Sequence, residues 1–269
     1  MKTILLLAHD DEGQEARLQV ALDVTRALGG HLNCLDVIAP PVAIASDDYG
    51  GVLTAAVMEN ERLDESANRA RIEARLGKED VAWSWHETTG FREEAIQEAA
   101  GLSDLVVLSS RLGAHAPPEL RQLAGHMVEK LDCPVLAVPG DAMRLAVAGT
   151  ALIAWDGSRE ADDALRHAVP LLRLASEVVL FVLDERGGAV TAEAAAEYLS
   201  REDVHVRIEE GHRQPGQMVY SEILDSAREF AADYIVMGAY GHSQVVETVF
   251  GGVTRSMLSQ SELPLLLMH

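Results

Sequence analysis

Short runs of consecutive apolar residues alternate along this chain with longer amphipathic stretches. Runs such as LIAW at 152–155, VVLFVL at 178–183 and YIVM at 234–237 are apolar at every position, which is typical of strands covered on both faces in a parallel sheet. We predict strands near 3–8, 31–37, 81–85, 104–108 and 134–138, then 151–155, 177–183, 204–208, 233–237 and 264–268. Helices are predicted near 13–28, 52–76, 91–101 and 118–131, then 159–174, 191–200, 216–231 and 252–261.

The two halves of this pattern repeat each other. TILLLAHD at 3–10 aligns with TALIAWD at 150–156, and SDLVVLSS at 103–110 aligns with ADYIVMGA at 232–239. Strand, helix and strand in this order, with right-handed crossovers, give doubly wound α/β domains. We therefore predict two similar domains, 1–140 and 149–269, each with a five-stranded parallel sheet and helices on both faces. The apolar final strands, CPVLAV and LPLLLM, are expected to pair antiparallel, which would make the chain an intramolecular pseudo-dimer.

The carboxyl ends of the second-half strands hold the candidate site, because open parallel sheets bind ligands there. AWDGS at 154–158, the end of the 177–183 strand and the stretch 237–258 should converge at this edge. Gly238 and Gly241 allow close backbone approach, and Gly251 and Gly252 precede a helix whose N-terminal N–H groups favour an anion. Thr254 is placed to add a hydroxyl. Ordinary turn glycines explain the same pattern, and that alternative stays open.

WDGSREADDALRHA and DYIVMGAYGHSQVVETVFGGVTRSMLSQSELPLLLM together resemble the universal stress protein family in its tandem form. ATP-binding members of that family carry G-x-x-G, nine residues, then G-S/T with a second hydroxyl two positions on. This sequence gives Gly238 and Gly241, nine residues, then Gly251, with Gly252 in place of the usual hydroxyl and Thr254 as the second one. The resemblance implies an adenine nucleotide alpha hydrolase-like fold.

It also implies a site for ATP or a related adenine nucleotide, with Mg²⁺ left open. Asp156 would contact adenine and ribose, and Val182 would line the base pocket. The set implied as nucleotide-binding is Ala154, Asp156, Val182, Met237, Gly238, Tyr240, Gly241, Gly251, Gly252, Val253 and Thr254. A side chain at 238, 241 or 251 is expected to occupy space that the phosphates need. The alternatives are a helix cap at Asp156 and core packing at Val182.

The first half lacks this motif, because Ser109, Leu112, Arg121 and Gln122 stand at the matching positions. We expect a degenerate site there, and at most one nucleotide per chain. One hypothesis turns Arg111 and Arg121 inward to pair with Asp10 or Asp11, and the other leaves both arginines in solvent.

The first half is also longer, by a segment between Pro40 and Lys78. Leu63, Ala67, Ala70 and Ala74 form a thin stripe at helical spacing, which we expect to lie on the domain. The segment would cover the mouth of the degenerate site or contact a second chain.

Composition excludes several function classes. The 269 residues carry a formal charge of −21, divided evenly between the halves, which disfavours nucleic acid and anionic membranes. The two cysteines lack metal or redox spacing, and we expect a reduced, cytoplasmic protein. No motif nominates a catalytic or metal-binding residue. We expect a stress-adaptation protein that is non-enzymatic or at most weakly hydrolytic; the alternative is an interaction platform that binds no nucleotide. Homodimer formation is left open.

Overall fold

The computed structural model describes residues 1–38, 65–183, 190–211, 216–241 and 252–269. The first half contains strands β1 (Thr3–Leu7), β2 (His31–Ile38), β3 (Ala82–Thr89), β4 (Leu105–Ser110) and β5 (Val135–Pro139), with helices α1 (Gln14–Leu28), α2 (65–76), α3 (Arg92–Ala100) and α4 (Pro118–Lys130). The second half contains β6 (Thr150–Trp155), β7 (Glu177–Val182), β8 (Val206–Glu210), β9 (Tyr234–Gly238) and β10 (Leu265–Met268), with α5 (Arg159–Leu172), α6 (Ala192–Arg201), α7 (Val219–Glu229) and α8 (Gly252–Gln260). All ten predicted strands are present, and the helical prediction for 52–64 lies outside the described residues.

The two halves share one strand order and join into a single ten-stranded sheet. The order is β3-β2-β1-β4-β5-β10-β9-β6-β7-β8, so each half contributes five strands. Neighbouring strands are parallel within each half, while β5 and β10 run antiparallel, with Leu136 opposite Leu266. The predicted antiparallel pairing of the two final strands is confirmed.

Helices cover both faces of this sheet. On β1, Ile4 and Leu6 face the layer that contains α1, α2, α5 and α6, whereas Leu5 and Leu7 face α3, α4, α7 and α8. Consecutive apolar residues are therefore buried on alternate faces, as the unbroken apolar runs indicate. None of the described helices is long and apolar enough to cross a membrane.

The described part of the extra segment packs differently from the prediction. Ala67, Ala70 and Ala74 of α2 are exposed, so the predicted alanine stripe is wrong, and Leu63 lies outside the described residues. The buried face carries two polar and two apolar residues at helical spacing, namely Glu65, Asn68, Ile72 and Leu76. Helix α2 is thus fixed to the first half by polar contacts as well as by apolar burial.

Candidate functional site

The candidate site lies where the strand order of the second half reverses, between β6 and β9. Ala154 is in register with Met237 across these strands, and Trp155 is in register with Val182 of β7. The loops that follow β6, β7 and β9 therefore leave the sheet at one edge. This is the position at which doubly wound sheets bind their ligands.

The loop after β9 is attached to the start of α8. The Tyr240 N–H donates a 3.4 Å hydrogen bond to Oγ1 of Thr254, which is 6% exposed. Tyr240 has a left-handed backbone, with φ of 56°. A hydroxyl that accepts one hydrogen bond still has its own proton to donate. Residues 237–241 and 252–254 are therefore neighbours, as predicted, whereas Gly251 lies outside the described residues.

Gly238 is required by packing against α5. A Cβ atom at this position would lie 2.5 Å from the backbone nitrogen of Ala161 and 2.6 Å from the carbonyl carbon of Glu160. Backbone atoms at such distances cannot move aside without shifting the helix. Packing against the first turn of α5 is therefore a reason for glycine at 238 besides the space expected for phosphate, and that expectation stays a prediction.

Gly241 faces a charged side chain of the same helix. A Cβ atom at Gly241 would lie 2.6 Å from the carboxyl carbon of Glu160 and 3.1 Å from its Cγ. Glu160 is half-buried in the first turn of α5, and among the described residues it forms no ion pair. A carboxylate therefore lies directly beside the loop that sequence assigns to phosphate.

Asp156 and Ser158 organise the start of α5. The Ser158 N–H donates to Oδ1 of Asp156 at 3.0 Å, and the Ser158 hydroxyl accepts from the Ala161 N–H at 3.2 Å. The Ser158 side chain is the N-cap of α5, and Gly157 between the two has a φ of 76°. The capping alternative for this segment is confirmed.

The apolar residues assigned to the site pack in or beside the core. Val182 is 9% exposed and belongs to the apolar layer under α5 and α6, as the core-packing alternative expects. Ala154 and Val253 are half-buried and pack against the opposite layer.

In the first half a buried arginine occupies the corresponding edge. Arg17 of α1 is 1% exposed, and its Nε donates to the Leu7 carbonyl at 2.7 Å. Its two Nη groups donate to the carboxylate of Asp11 at 3.2 and 3.1 Å, to the His9 carbonyl at 3.0 Å and to Oγ of Ser109. The charge is thus compensated by Asp11 and by hydrogen bonds, as a buried ion pair requires.

The hypothesis that Arg111 and Arg121 fill this place is wrong. Arg111 pairs with Asp141, and Arg121 is exposed. Of the two proposed acidic partners, Asp11 does bind an arginine, but Asp10 pairs with Arg71 of α2 at 2.7 Å.

Sequence reasoning missed Arg17, although a signal was present. Arg17 lies at helical spacing from Val20, Ala21 and Val24, all of which are buried. A charged residue in the middle of an apolar helix stripe indicates a buried partner.

Helix α2 covers the edge of the first half beside Arg17. Gln14 and Asn68 exchange two buried amide hydrogen bonds of 2.7 and 3.0 Å, and Nδ1 of His9 lies 2.8 Å from Oε1 of Glu65. These contacts agree with the hypothesis that the extra segment covers the degenerate site, at least for residues 65–76. The remainder of the segment falls outside the described residues.

The start of α8 offers donors suited to an anion at the second-half edge. Gly252 has open space beside its Cα among the described residues, and it begins the nine-residue helix α8, whose first N–H groups and dipole favour an anion. Across the described ranges no group of three or more His, Cys, Asp or Glu side chains is arranged to hold a metal ion. The arrangement can therefore bind an anion through Gly252, Thr254 and the backbone.

Comparison with known proteins agrees with this architecture. Residues 149–269 match the model of the Universal stress protein family. A universal stress protein of Synechocystis sp. is 22% identical over 295 residues, spanning 99% of each chain. The crystal structure of a universal stress protein from Archaeoglobus fulgidus has a TM-score of 0.69 and 18% identity, covering 99% of this chain and 95% of its own. A putative universal stress protein from Pseudomonas aeruginosa has a TM-score of 0.54 and 18% identity, covering 100% and 93%.

Proposed function

The chain belongs to the universal stress protein family through residues 149–269, and on that basis we propose that its second half binds one adenine nucleotide. ATP or a close relative is the proposed ligand, and stress adaptation is the proposed role. The protein acts by binding: no residue is assigned to catalysis.

The contrast between the two halves carries this proposal. In the second half, no described residue fills the space beside Gly252, and the Thr254 hydroxyl lies at the start of α8. In the first half, the same edge of the sheet holds Arg17 and is covered by α2. In the described part of the chain, only the second edge leaves space at this position, which supports a stoichiometry of one nucleotide per chain.

Each part of the nucleotide has proposed contacts. The phosphates lie at Gly251, Gly252 and Thr254, where N–H groups and a hydroxyl can donate. The adenosine lies toward the ends of β6, β7 and β9, with the ribose near Asp156 and the base near Val182. The remaining contacts come from the strand ends and loops at Ala154, Met237, Gly238, Tyr240, Gly241 and Val253.

Substitutions of Gly252 test the proposal without disturbing the packing of the described residues, because none of their atoms lies within 4 Å of a Cβ atom there. Gly252→Asp places a negative charge at the phosphate position and should abolish binding. Gly252→Ser supplies the hydroxyl usual in the family and should tighten binding about tenfold or more, because a hydrogen bond to a charged group contributes about 1.5–3 kcal/mol.

The matched control is Gln122→Asp, which introduces the same aspartate at the corresponding, exposed position of the first half. Isothermal titration calorimetry with Mg-ATP should give a stoichiometry near one for wild type and for Gln122→Asp. A stoichiometry of two would reject the assignment to the second half. Absence of heat at high protein concentration would favour the alternative, an interaction platform that binds no nucleotide.

A further inference from the structure

Among the described residues, Glu160 places its carboxylate directly beside Gly241 of the G-x-x-G loop. Its carboxyl carbon would lie 2.6 Å from a Cβ at Gly241, and its backbone carbonyl carbon would lie 2.6 Å from a Cβ at Gly238. The residue is therefore fixed by the same close packing that requires Gly238. This packing holds the backbone and Cβ of Glu160, and from there the side chain extends along the loop to Gly241.

The neighbouring acids of α5 have cationic partners of their own. Asp162 pairs with Arg166 at 2.9 Å, and Asp163 pairs with Arg159 at 3.4 Å. Glu160 forms no such pair among the described residues, and it lies in the first turn of α5, where the helix dipole favours a negative charge. Metal-free nucleotide bound at this loop would bring its phosphates next to a carboxylate that has no cationic partner among the described residues.

Repulsion between these groups disappears when a divalent cation lies between them. Mg²⁺ prefers oxygen ligands and is commonly held by one or two carboxylates together with substrate phosphates. In the first half, where Arg17 fills the edge, the residue at the matching offset of 146 is the uncharged Gln14. The carboxylate thus occurs in the half that keeps room for phosphate.

Resting on the function proposed above, we propose that Glu160 is a specificity-determining residue that makes nucleotide binding depend on a divalent cation. Its carboxylate discriminates against metal-free nucleotide and contacts the cation of the Mg-nucleotide complex, directly or through a cation-bound water. The second half would then recognise Mg-ATP as a unit.

The test compares two affinities of the full chain, one for ATP with excess Mg²⁺ and one for ATP with EDTA, by titration calorimetry. Wild type should bind metal-free ATP at least about tenfold more weakly than Mg-ATP, as expected for like charges in a partly buried site. Glu160→Gln should bring this ratio below about threefold, chiefly by tightening the binding of metal-free ATP.

Asp163→Asn is the control, since it removes a carboxylate one turn farther along α5 and should keep the wild-type ratio. Equal ratios for wild type and Glu160→Gln, with ATP bound in each case, would overturn the role of Glu160 and leave the nucleotide site standing. Failure of every variant to bind ATP in both conditions would overturn both proposals.

Discussion

Gly13 and Gly238 each lie where the start of a helix packs against the end of a strand, Gly13 on the helix side and Gly238 on the strand side. In the second half the strand end supplies the glycine, and the first turn of α5 lies against it. In the first half the N-cap of α1 supplies it: a Cβ at Gly13 would lie 2.5 Å from Oγ of Ser109, the counterpart of Gly238. In each half one glycine is needed where the helix start contacts the strand end. Packing therefore explains the first glycine of the G-x-x-G motif without any ligand.

This cause predicts that Gly238→Ala destabilises the protein whether or not nucleotide is present. Added bulk against backbone atoms of α5 should cost about 1–3 kcal/mol. Gly241→Ala should cost under about 1 kcal/mol, because only the mobile end of Glu160 must move. Urea denaturation followed by circular dichroism checks both values. Equal, small losses for the two variants would show that α5 shifts without cost.

At the scale of elements, β2 and α2 meet through two buried carboxyl groups. Asp36 is 1% exposed and Glu65 is 4% exposed, and no described residue donates a hydrogen bond to Oδ1 of Asp36 or Oε2 of Glu65. Burial raises the pKa of Asp36 to about 7, and the charges of Glu65 and Glu87 add to the shift while Arg69 opposes it. The protonated Asp36 can donate to Glu65, which links helix to sheet.

The raised pKa predicts how stability depends on pH. Between about pH 4 and pH 7 the unfolded Asp36 loses its proton while the folded one retains it, so stability falls as pH rises, by at most about 1.4 kcal/mol per pH unit. Asp36→Asn stays neutral and should gain stability relative to wild type across this range, with no further gain above pH 7. Urea midpoints at pH 4.5, 6 and 8 measure the difference.

Asp104→Asn is the control, because the pKa of Asp104 is shifted in the opposite direction and its effect on stability should change with pH in the opposite sense. Backbone N–H groups of Lys2 and Thr3 hydrogen-bond Asp104 and hold its pKa below the ordinary value. Its stabilising effect is present at neutral pH and lost in acid, so this variant should be least stable relative to wild type at pH 8. Stability curves of Asp36→Asn and wild type that stay parallel from pH 4.5 to 8 would contradict the link between Asp36 and α2.

Elements with local signals could be predicted from the sequence, and contacts between distant polar residues could not. Apolar runs located the strands. The end of β3 was predicted too early, because β3 stays paired with β2 as far as Thr89, beyond its apolar residues. The face of α2 was misassigned since Asn68 is buried by bonding Gln14, which periodicity cannot reveal. For the candidate site, glycine spacing predicted the loop and Thr254. Glu160 could not be predicted, because it lies near Gly241 only when α5 packs against the loop.

For the whole molecule, the antiparallel contact between β5 and β10 fixes how the halves are joined. Val135, Leu136 and Ala137 pair with Leu267, Leu266 and Leu265, and all six are buried. Tyr240 of the candidate loop also reaches across this junction, since a Cβ at Gly125 of α4 would lie 2.8 Å from its hydroxyl. Separating the halves would expose an apolar strand edge and remove a neighbour of the loop.

Residues 146–269 expressed alone should therefore associate through β10, because an open apolar edge pairs with another strand. Sedimentation velocity should show a dimer at micromolar concentrations. Adding a peptide of residues 132–140 supplies the β5 strand and should restore the monomer. A monodisperse monomer that retains native secondary structure without the peptide would refute the prediction.

The same junction sets an order of events during biosynthesis. Strand β5 is complete at residue 139, but its partner β10 begins only at residue 265. At translation speeds of roughly 5–20 residues per second, the edge of β5 waits on the order of ten seconds without its neighbour. During that interval the nascent chain presents Val135 to Ala137 to any other unpaired strand, so this edge is where a ribosome-associated chaperone would give the most protection.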